Sequence, residues 1–294
     1  MYELIQAGPR TYYIDCPAKI GVYRFSENGV CLIDAGNDKD TGRKIQKILE
    51  QNGWTAKLIL CTHSHADHIG GCRILQERLN CPVYAPGAEA DFTCHPFLEP
   101  SFLYGGFPFR ELRNKFLMAR ESSALPLTPE VLPEGMEMAR LDGHSFAMAA
   151  FRTPDDVWFL ADSLSSEAVL QKYHIGFLYD VEGYLASLDR VEQLKGRLFI
   201  PSHAAPTEDI RPLAKLNRAK VMEVLALLRE VCSRPIAFDD ILKAVFDHYG
   251  LMMDLTQYVL VGSTVRSCLS CLRDRGELEP CIKENRLMWR PASV

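Results

Sequence analysis

The chain has 294 residues, 47% of them hydrophobic, and carries 33 Lys and Arg against 38 Asp and Glu for a formal charge of −5. That length and apolar share suit one large domain or two smaller ones with a self-sufficient core, and they exclude a disordered or fibrous chain. No apolar run approaches the ~20 residues of a membrane span, and the mildly acidic balance is no general attractant for nucleic acid.

The segment Met1-Tyr2-Glu3-Leu4-Ile5-Gln6 lacks a basic stretch followed by an apolar one, so no secretory leader is expected. The ten cysteines are then expected as reduced thiols of a cytoplasmic protein. Strands and helices alternate from there. Residues 11–15 read as a strand, and strands at 19–25 and 30–34 flank the hairpin signal Ser26-Glu27-Asn28-Gly29. An amphipathic helix over 38–52 closes at Gly53, followed by a buried strand at 57–61, a helix at 67–79 and a short strand at 82–84.

Residues 86–140 form an insertion with an aromatic run, Phe102, Tyr104, Phe107 and Phe109, and a predicted helix at 111–121. An insertion this long is expected to be either a lid or binding loop or an ordinary packed subdomain. Specificity is expected to reside there and in 170–180, with Tyr104, Phe107 and His174 as candidate substrate contacts. Strands follow at 136–141, 145–152 and 157–161, then a helix at 181–194 and a strand at 198–200.

The character changes after residue 206. Helices at 214–232, 239–249 and 259–275 precede two short strands around Lys283-Glu284-Asn285, the outline of a winged helix. Residues 207–294 are therefore expected as a second, mostly helical domain after a first at 1–206. Their net charge is only +1, which does not mark a nucleic-acid module. Cys268 and Cys271 have zinc-like spacing but sit in a helical pattern with no second pair, so core packing explains them better.

The chemistry concentrates in Thr62-His63-Ser64-His65-Ala66-Asp67-His68-Ile69-Gly70-Gly71, directly after the apolar run 58–61. In extended chain, residues two apart project to one side, so His63 and His65 can grip one ion. Asp67 then opens a helix, whose N-terminal dipole favours a carboxylate. Asp67 and His68 can face a second ion nearby. Imidazole and carboxylate donors suit zinc, iron or manganese better than calcium or magnesium. Four more polar residues end predicted strands: Asp34, His144, Asp162 and His203. Such positions can converge on one cleft. The pattern points to metal-assisted hydrolysis, and no Gly-x-Ser-x-Gly elbow offers a serine route.

On these residues the chain resembles the metallo-β-lactamase-fold superfamily over roughly residues 1–206. The motifs run in order: Asp34 in Ile33-Asp34-Ala35-Gly36, the His63–His68 cluster, His144, Asp162 in Ala161-Asp162-Ser163, and His203. The resemblance implies an α+β fold, a four-layer αββα sandwich with its site along one edge of two sheets. It also implies two divalent ions, zinc first with iron or manganese as alternatives. His63, His65 and His144 would hold one ion, and Asp67, His68 and His203 the other, with Asp162 bridging. Asp34 would orient a ligand by hydrogen bonding. A hydroxide shared by the ions would attack the substrate, with Asp67 orienting it and taking its proton. His144 is followed by Ser145-Phe146-Ala147 rather than Pro-Gly-Ser, and His203 sits in Ser202-His203-Ala204 rather than Gly-His-Gly. Both changes alter the pocket backbone, so no one substrate carries over. Ala66 stands where oxygen-reducing diiron relatives place a carboxylate, which argues against an oxidoreductase.

Three functions fit this sequence. The first is hydrolysis of a small acyl substrate, a thioester, ester or lactone. The second is a phosphodiesterase acting on RNA or a nucleotide, with Arg266, Arg273 and Arg275 on or beside the third C-terminal helix. The third is a metal-containing regulatory or binding protein without turnover. The C-terminal region is expected to cover the pocket or to form a homodimer rather than to read nucleic acid.

Overall fold

The computed structural model describes residues 2–293. The first sheet has seven strands in sequential order: β1 (Glu3–Gln6), β2 (Thr11–Asp15), β3 (Ile20–Arg24), β4 (Gly29–Ile33), β5 (Thr55–Leu60), β6 (Val83–Ala85) and β7 (Ala124–Pro126). β1 to β4 pair antiparallel, and β4 to β7 pair parallel. The helices that make the parallel crossovers are α1 (Lys39–Gln51), α2 (Ala66–Ile69), α3 (Cys72–Leu79), α4 (Glu89–Cys94) and α5 (Leu98–Tyr104). The second sheet runs β11-β10-β9-β8, from β8 (Glu137–Arg140), β9 (Ala149–Thr153), β10 (Val157–Phe159) and β11 (Leu198–Ile200). α6 (Glu167–Tyr173) and α7 (Val181–Gln193) lie between β10 and β11, which pair parallel.

Side-chain alternation dictates the layers. On β4, Val30 and Leu32 face Ile45 and Leu49 of α1 and Leu75 of α3. Cys31 and Ile33 point the other way, onto Phe151 and Phe159 of the second sheet. Strand β4 is covered on both faces and reads as continuously apolar for that reason. The outer face of the second sheet, through Met148, Ala150 and Trp158, packs on Leu185 and Leu188 of α7. Helix, sheet, sheet, helix is the αββα sandwich.

The C-terminal region comprises α8 (Arg211–Val231), β12 (Ile236–Ala237), α9 (Phe238–Tyr249), α10 (Leu255–Asp274), β13 (Leu278–Lys283) and β14 (Arg286–Pro291). Its three strands form a small sheet in the order β12-β14-β13. It has no separate core: Leu225, Leu228, Ile241, Val265 and Leu269 belong to the same buried cluster as Trp158 and Leu188. Cys268 and Cys271 lie in that cluster on α10. Among the described residues no helix is long and apolar enough to cross a membrane.

Three expectations need correction. The helix expected at 111–121 reduces to a 3-10 turn at Arg110–Leu112. The Asn114 side chain competes for backbone groups, donating to the Glu111 carbonyl and accepting from Phe116 N–H. The helix expected at 67–79 is two helices broken at Gly70 and Gly71. A Cβ on Gly71 would stand 2.2 Å from the Ala35 carbonyl oxygen, and one on Gly70 would stand 2.2 Å from the Asn37 backbone. The chain turns there because only glycine lets it press against the loop after β4. The strand expected from 145 begins only at Ala149.

Because the core runs through residue 206, the chain is expected to unfold in one transition. Leu225→Ala should cost about 2–5 kcal/mol. Denaturant curves followed by Trp fluorescence and by far-ultraviolet circular dichroism should coincide. Two separate midpoints would show an independent C-terminal unit.

Candidate metal centre

β4 and β5 run parallel, as do β10 and β11, and each of these strands ends at a polar residue or loop of the site. Asp34 follows β4, Thr62 to His65 follow β5, Asp162 sits in a turn after β10, and His203 follows β11. His144 comes from the β8–β9 loop. Gly143 before it has φ +111°, and a Cβ there would lie 2.0 Å from the Tyr184 backbone nitrogen.

Two donor groups result. His63, His65, His144 and Asp162 offer ligand atoms within 4.8 Å of one another, as do Asp67, His68 and His203. His65 Nδ1 lies 3.1 Å from His63 Nε2 and 3.0 Å from His144 Nε2. The Asp162 carboxylate sits between the groups, 3.0 Å from His68 Nε2, 3.2 Å from His203 Nε2 and 3.5 Å from His144 Nε2.

Outer partners fix which ring nitrogens point inward. Asp34 accepts at 2.8 Å from the Thr62 amide and at 2.9 Å from the Thr62 hydroxyl. With its proton committed to Asp34, the Thr62 hydroxyl accepts from His63 Nδ1–H at 2.9 Å. The same Asp34 carboxylate accepts from His68 Nδ1–H at 2.8 Å, and the Pro17 carbonyl accepts from His203 Nδ1–H at 3.0 Å. Each of these rings therefore turns Nε2 into the cluster. Asp34 holds this place with φ +66°, a left-handed conformation in which its amide still bonds the Leu60 carbonyl at 2.9 Å.

Charge follows position. Burial drives the pKa of His65 down to about 4 and that of His144 to about 3. Burial, with the charge on His68, also holds His63 well below the usual value. These three stay neutral, as ligation requires. Burial also opposes the charged form of His68, but Asp162, Asp67 and Asp34 outweigh it and raise its pKa well above the ordinary value. Asp162 is the main cause that lifts His203 to about 10. Burial works against the Asp67 and Asp162 carboxylates, yet His68 and His203 pull both down, Asp67 to about 2. The cluster fits divalent cations. His68 Nε2 and Asp162 Oδ1 are buried without a well-formed hydrogen bond, and the ring nitrogens of His63 and His144 converge on His65 Nδ1. A cation would satisfy all of them, displacing the protons on His68 and His203.

The centre opens into a cavity of about 620 Å³, reached by His65, Asp67, His144, Asp162 and His203. Its apolar walls come from the loop after α6 (Ile175, Phe177, Leu178), from α8 (Val221, Val224) and from α10 (Leu260), with the Phe177 ring 5.1 Å from that of His65. His174 borders it. Tyr104 and Phe107 do not: Tyr104 edges a separate groove beside Tyr179 and Arg266, and Phe107 leans on Phe97. Phe102 packs inward against Phe146 and Tyr179. The expected aromatic lid is therefore not built from this run. Phe116, Leu117 and Lys115, further along the insertion, border the cavity instead.

Two buried carboxylates escaped the sequence reading. Glu89 accepts from the Ser64 and Ala147 amides, both at 2.9 Å, and so ties the His63–His68 loop to the His144 loop. Glu99 faces His65 Nε2 at 3.7 Å, and burial lifts its pKa to about 8. No local pattern marks either, because their partners are distant in the chain.

The family model of the metallo-beta-lactamase superfamily matches residues 13–203. A hydroxyacylglutathione hydrolase from Chelativorans sp. (strain BNC1) is 37% identical over 68 residues, 23% of this chain and 25% of that protein. A probable metallo-hydrolase from Bacillus subtilis (strain 168) is 32% identical over 91 residues, 31% of this chain and 42% of that protein. The chain thus spans between a quarter and less than half of the length of these relatives. A beta-lactamase domain protein from Burkholderia ambifaria superposes with a TM-score of 0.78 at 18% identity, covering 99% of this chain and 94% of the other. A metallo-beta-lactamase family protein from Thermus thermophilus gives 0.71 at 20% identity, covering 99% and 98%. At such identity the likeness is one of fold, and it extends through the C-terminal region. The chain belongs to the metallo-beta-lactamase superfamily.

Proposed function

We propose that the protein hydrolyses a small acyl substrate, a thioester, ester or lactone, using two divalent ions, zinc in the first instance. The observation that carries this reading is the cavity, which joins the His/Asp cluster to a wall of Ile175, Phe177, Leu178, Val221, Val224 and Leu260. Apolar walls with a few convergent polar groups suit small organic ligands.

His63 Nε2, His65 Nδ1 and His144 Nε2 would hold one ion, and Asp67, His68 Nε2 and His203 Nε2 the other, with Asp162 spanning both. Bound there, the ions would supply Lewis acidity and acidify water toward neutral pH. The remaining work falls to the chain. Asp34 and Thr62 fix the imidazole tautomers. Asp67, whose side chain is 44% exposed toward the cavity, takes the proton from the attacking water. The apolar wall seats the acyl chain and keeps bulk water away from the reacting carbonyl.

The nucleic-acid alternative finds less support. The Arg266 guanidinium lies 3.9 Å over the Phe238 ring, and Arg275 bonds Glu182 at 2.6 Å. Two of the three arginines that a reader helix would offer are engaged internally. α8 and α10 instead supply cavity wall, which favours a pocket-covering role for the C-terminal region.

Two results are expected. With zinc-loaded protein, generic thioesters and lactones should turn over at least ten times faster than bis-p-nitrophenyl phosphate; the reverse order would favour the phosphodiesterase. Asp34→Ala should weaken metal affinity 10–100-fold in a chelator competition, because it releases the orientation of His68 and, through Thr62, of His63. Unchanged affinity would remove Asp34 from the site.

A further inference from the structure

Outside the metal cluster the cavity wall is mostly apolar, but several polar side chains on it have no part in the chemistry above, among them Glu99, Lys115, Asn217, His174 and Lys220. Lys220 on α8 and His174 at the end of α6 both border the cavity. The Lys220 ammonium lies 3.5 Å from His174 Nδ1 and donates to Glu223 at 2.9 Å. Tyr249 holds the pair in place. Its ring stacks on His174 at 4.5 Å and 20°, its hydroxyl donates to the same Glu223 oxygen at 2.9 Å, and Lys220 sits 5.4 Å over its centre.

The backbone at His174 is held at φ 56°, ψ −45°, a conformation that costs energy for any residue but glycine. The chain tolerates it because the stacked ring, the lysine and the hydrogen bond from His174 N–H to the Leu170 carbonyl all over-determine the position. Lys220 is itself mostly buried, its side chain 17% exposed. A strained histidine beside a mostly buried lysine, on the wall of an apolar cavity, is an expensive arrangement for packing alone.

The protonation pattern gives the pair a direction. Lys220 donates to His174 Nδ1, so the neutral ring carries its proton on Nε2. Burial and the lysine charge both lower the His174 pKa, which keeps the ring neutral. Nε2–H and the remaining ammonium proton are then the two donors left for a ligand. Glu223 does not border the cavity, and it leaves the pair nearly neutral as a whole. A monoanion suits that balance. A doubly charged group there, such as a phosphate, would be repelled by Glu223 more strongly than a single carboxylate.

We propose that Lys220 and His174 form a carboxylate-binding subsite, so that the substrate is an acyl compound with a carboxylate at the far end of its acyl chain. The inference rests on the acyl-hydrolase reading for its choice of substrate, but the subsite can be tested without turnover. Glutarate and pentanoate have five carbons each and differ in one terminal carboxylate. Calorimetric titration of zinc-loaded protein with each should show glutarate binding at least ten times tighter. Lys220→Met should abolish that preference, and Lys220→Arg should restore most of it. Thermal melts of both variants check that the fold is retained.

Equal binding of the two acids to the unaltered protein would overturn the proposal. So would a preference that survives Lys220→Met in a folded variant, or inorganic phosphate displacing glutarate at equal concentration. A glutarate preference that depends on Lys220, in a protein that turns over no thioester or lactone, would overturn the acyl-hydrolase reading and leave the subsite standing.

Discussion

The constraint on which the rest depends is the burial of converging lone pairs. Outer hydrogen bonds from Thr62, Asp34 and Pro17 commit the far nitrogens of His63, His68 and His203, so their Nε2 atoms turn inward. His65 and His144 add two more inward nitrogens, and the buried Asp162 carboxylate stands between the groups. Desolvated imidazoles and carboxylates this close are costly unless a cation or a proton sits among them. Asp34 is the pivot because one carboxylate sets two rings, one directly and one through Thr62.

The surrounding fold is organised to hold that geometry. Parallel pairing of β4 with β5 and of β10 with β11 brings loops from both sheets to one edge. Gly70 and Gly71 let the His63–His68 turn press against the loop that carries Asp34. Glu89 bridges the β5 loop to the His144 loop by accepting from an amide on each. The C-terminal helices then close the cavity from the side opposite the sheets, with their own apolar residues merged into the main core. The His/Asp cluster sits at strand ends, and much of the apolar cavity wall sits on helices.

That division explains what the sequence could reveal. The His63–His68 spacing was legible because its geometry is local, and Asp34, His144, Asp162 and His203 were legible as polar residues closing apolar runs. The sandwich was implied by the resemblance to the superfamily and not by periodicity, since a strand such as β4 is apolar on both faces. The cavity wall was legible only in part: residues 170–180, His174 among them, do border it, whereas the walls from α8 and α10 carried no signal. Tyr104 and Phe107 carried an aromatic signal but face elsewhere, and Lys220 and His174 meet only because α6 and α8 pack together across 46 positions. Glu89 and Glu99 were missed for the same reason, since a buried carboxylate is recognised by its distant partners. The helix expected at 111–121 failed because Asn114 bonds its own neighbours and because Leu112 and Leu117 pack on Leu103 and Val259 instead of lining one helical face.

The central claim is a two-ion centre joined by Asp162. Equilibrium dialysis against zinc followed by elemental analysis tests it most directly, on the unaltered protein and on Asp162→Ala. Two equivalents of metal per chain, falling to one or fewer in the variant, is the predicted result. A single equivalent in the unaltered protein, or two retained tightly by a folded Asp162→Ala, would contradict it.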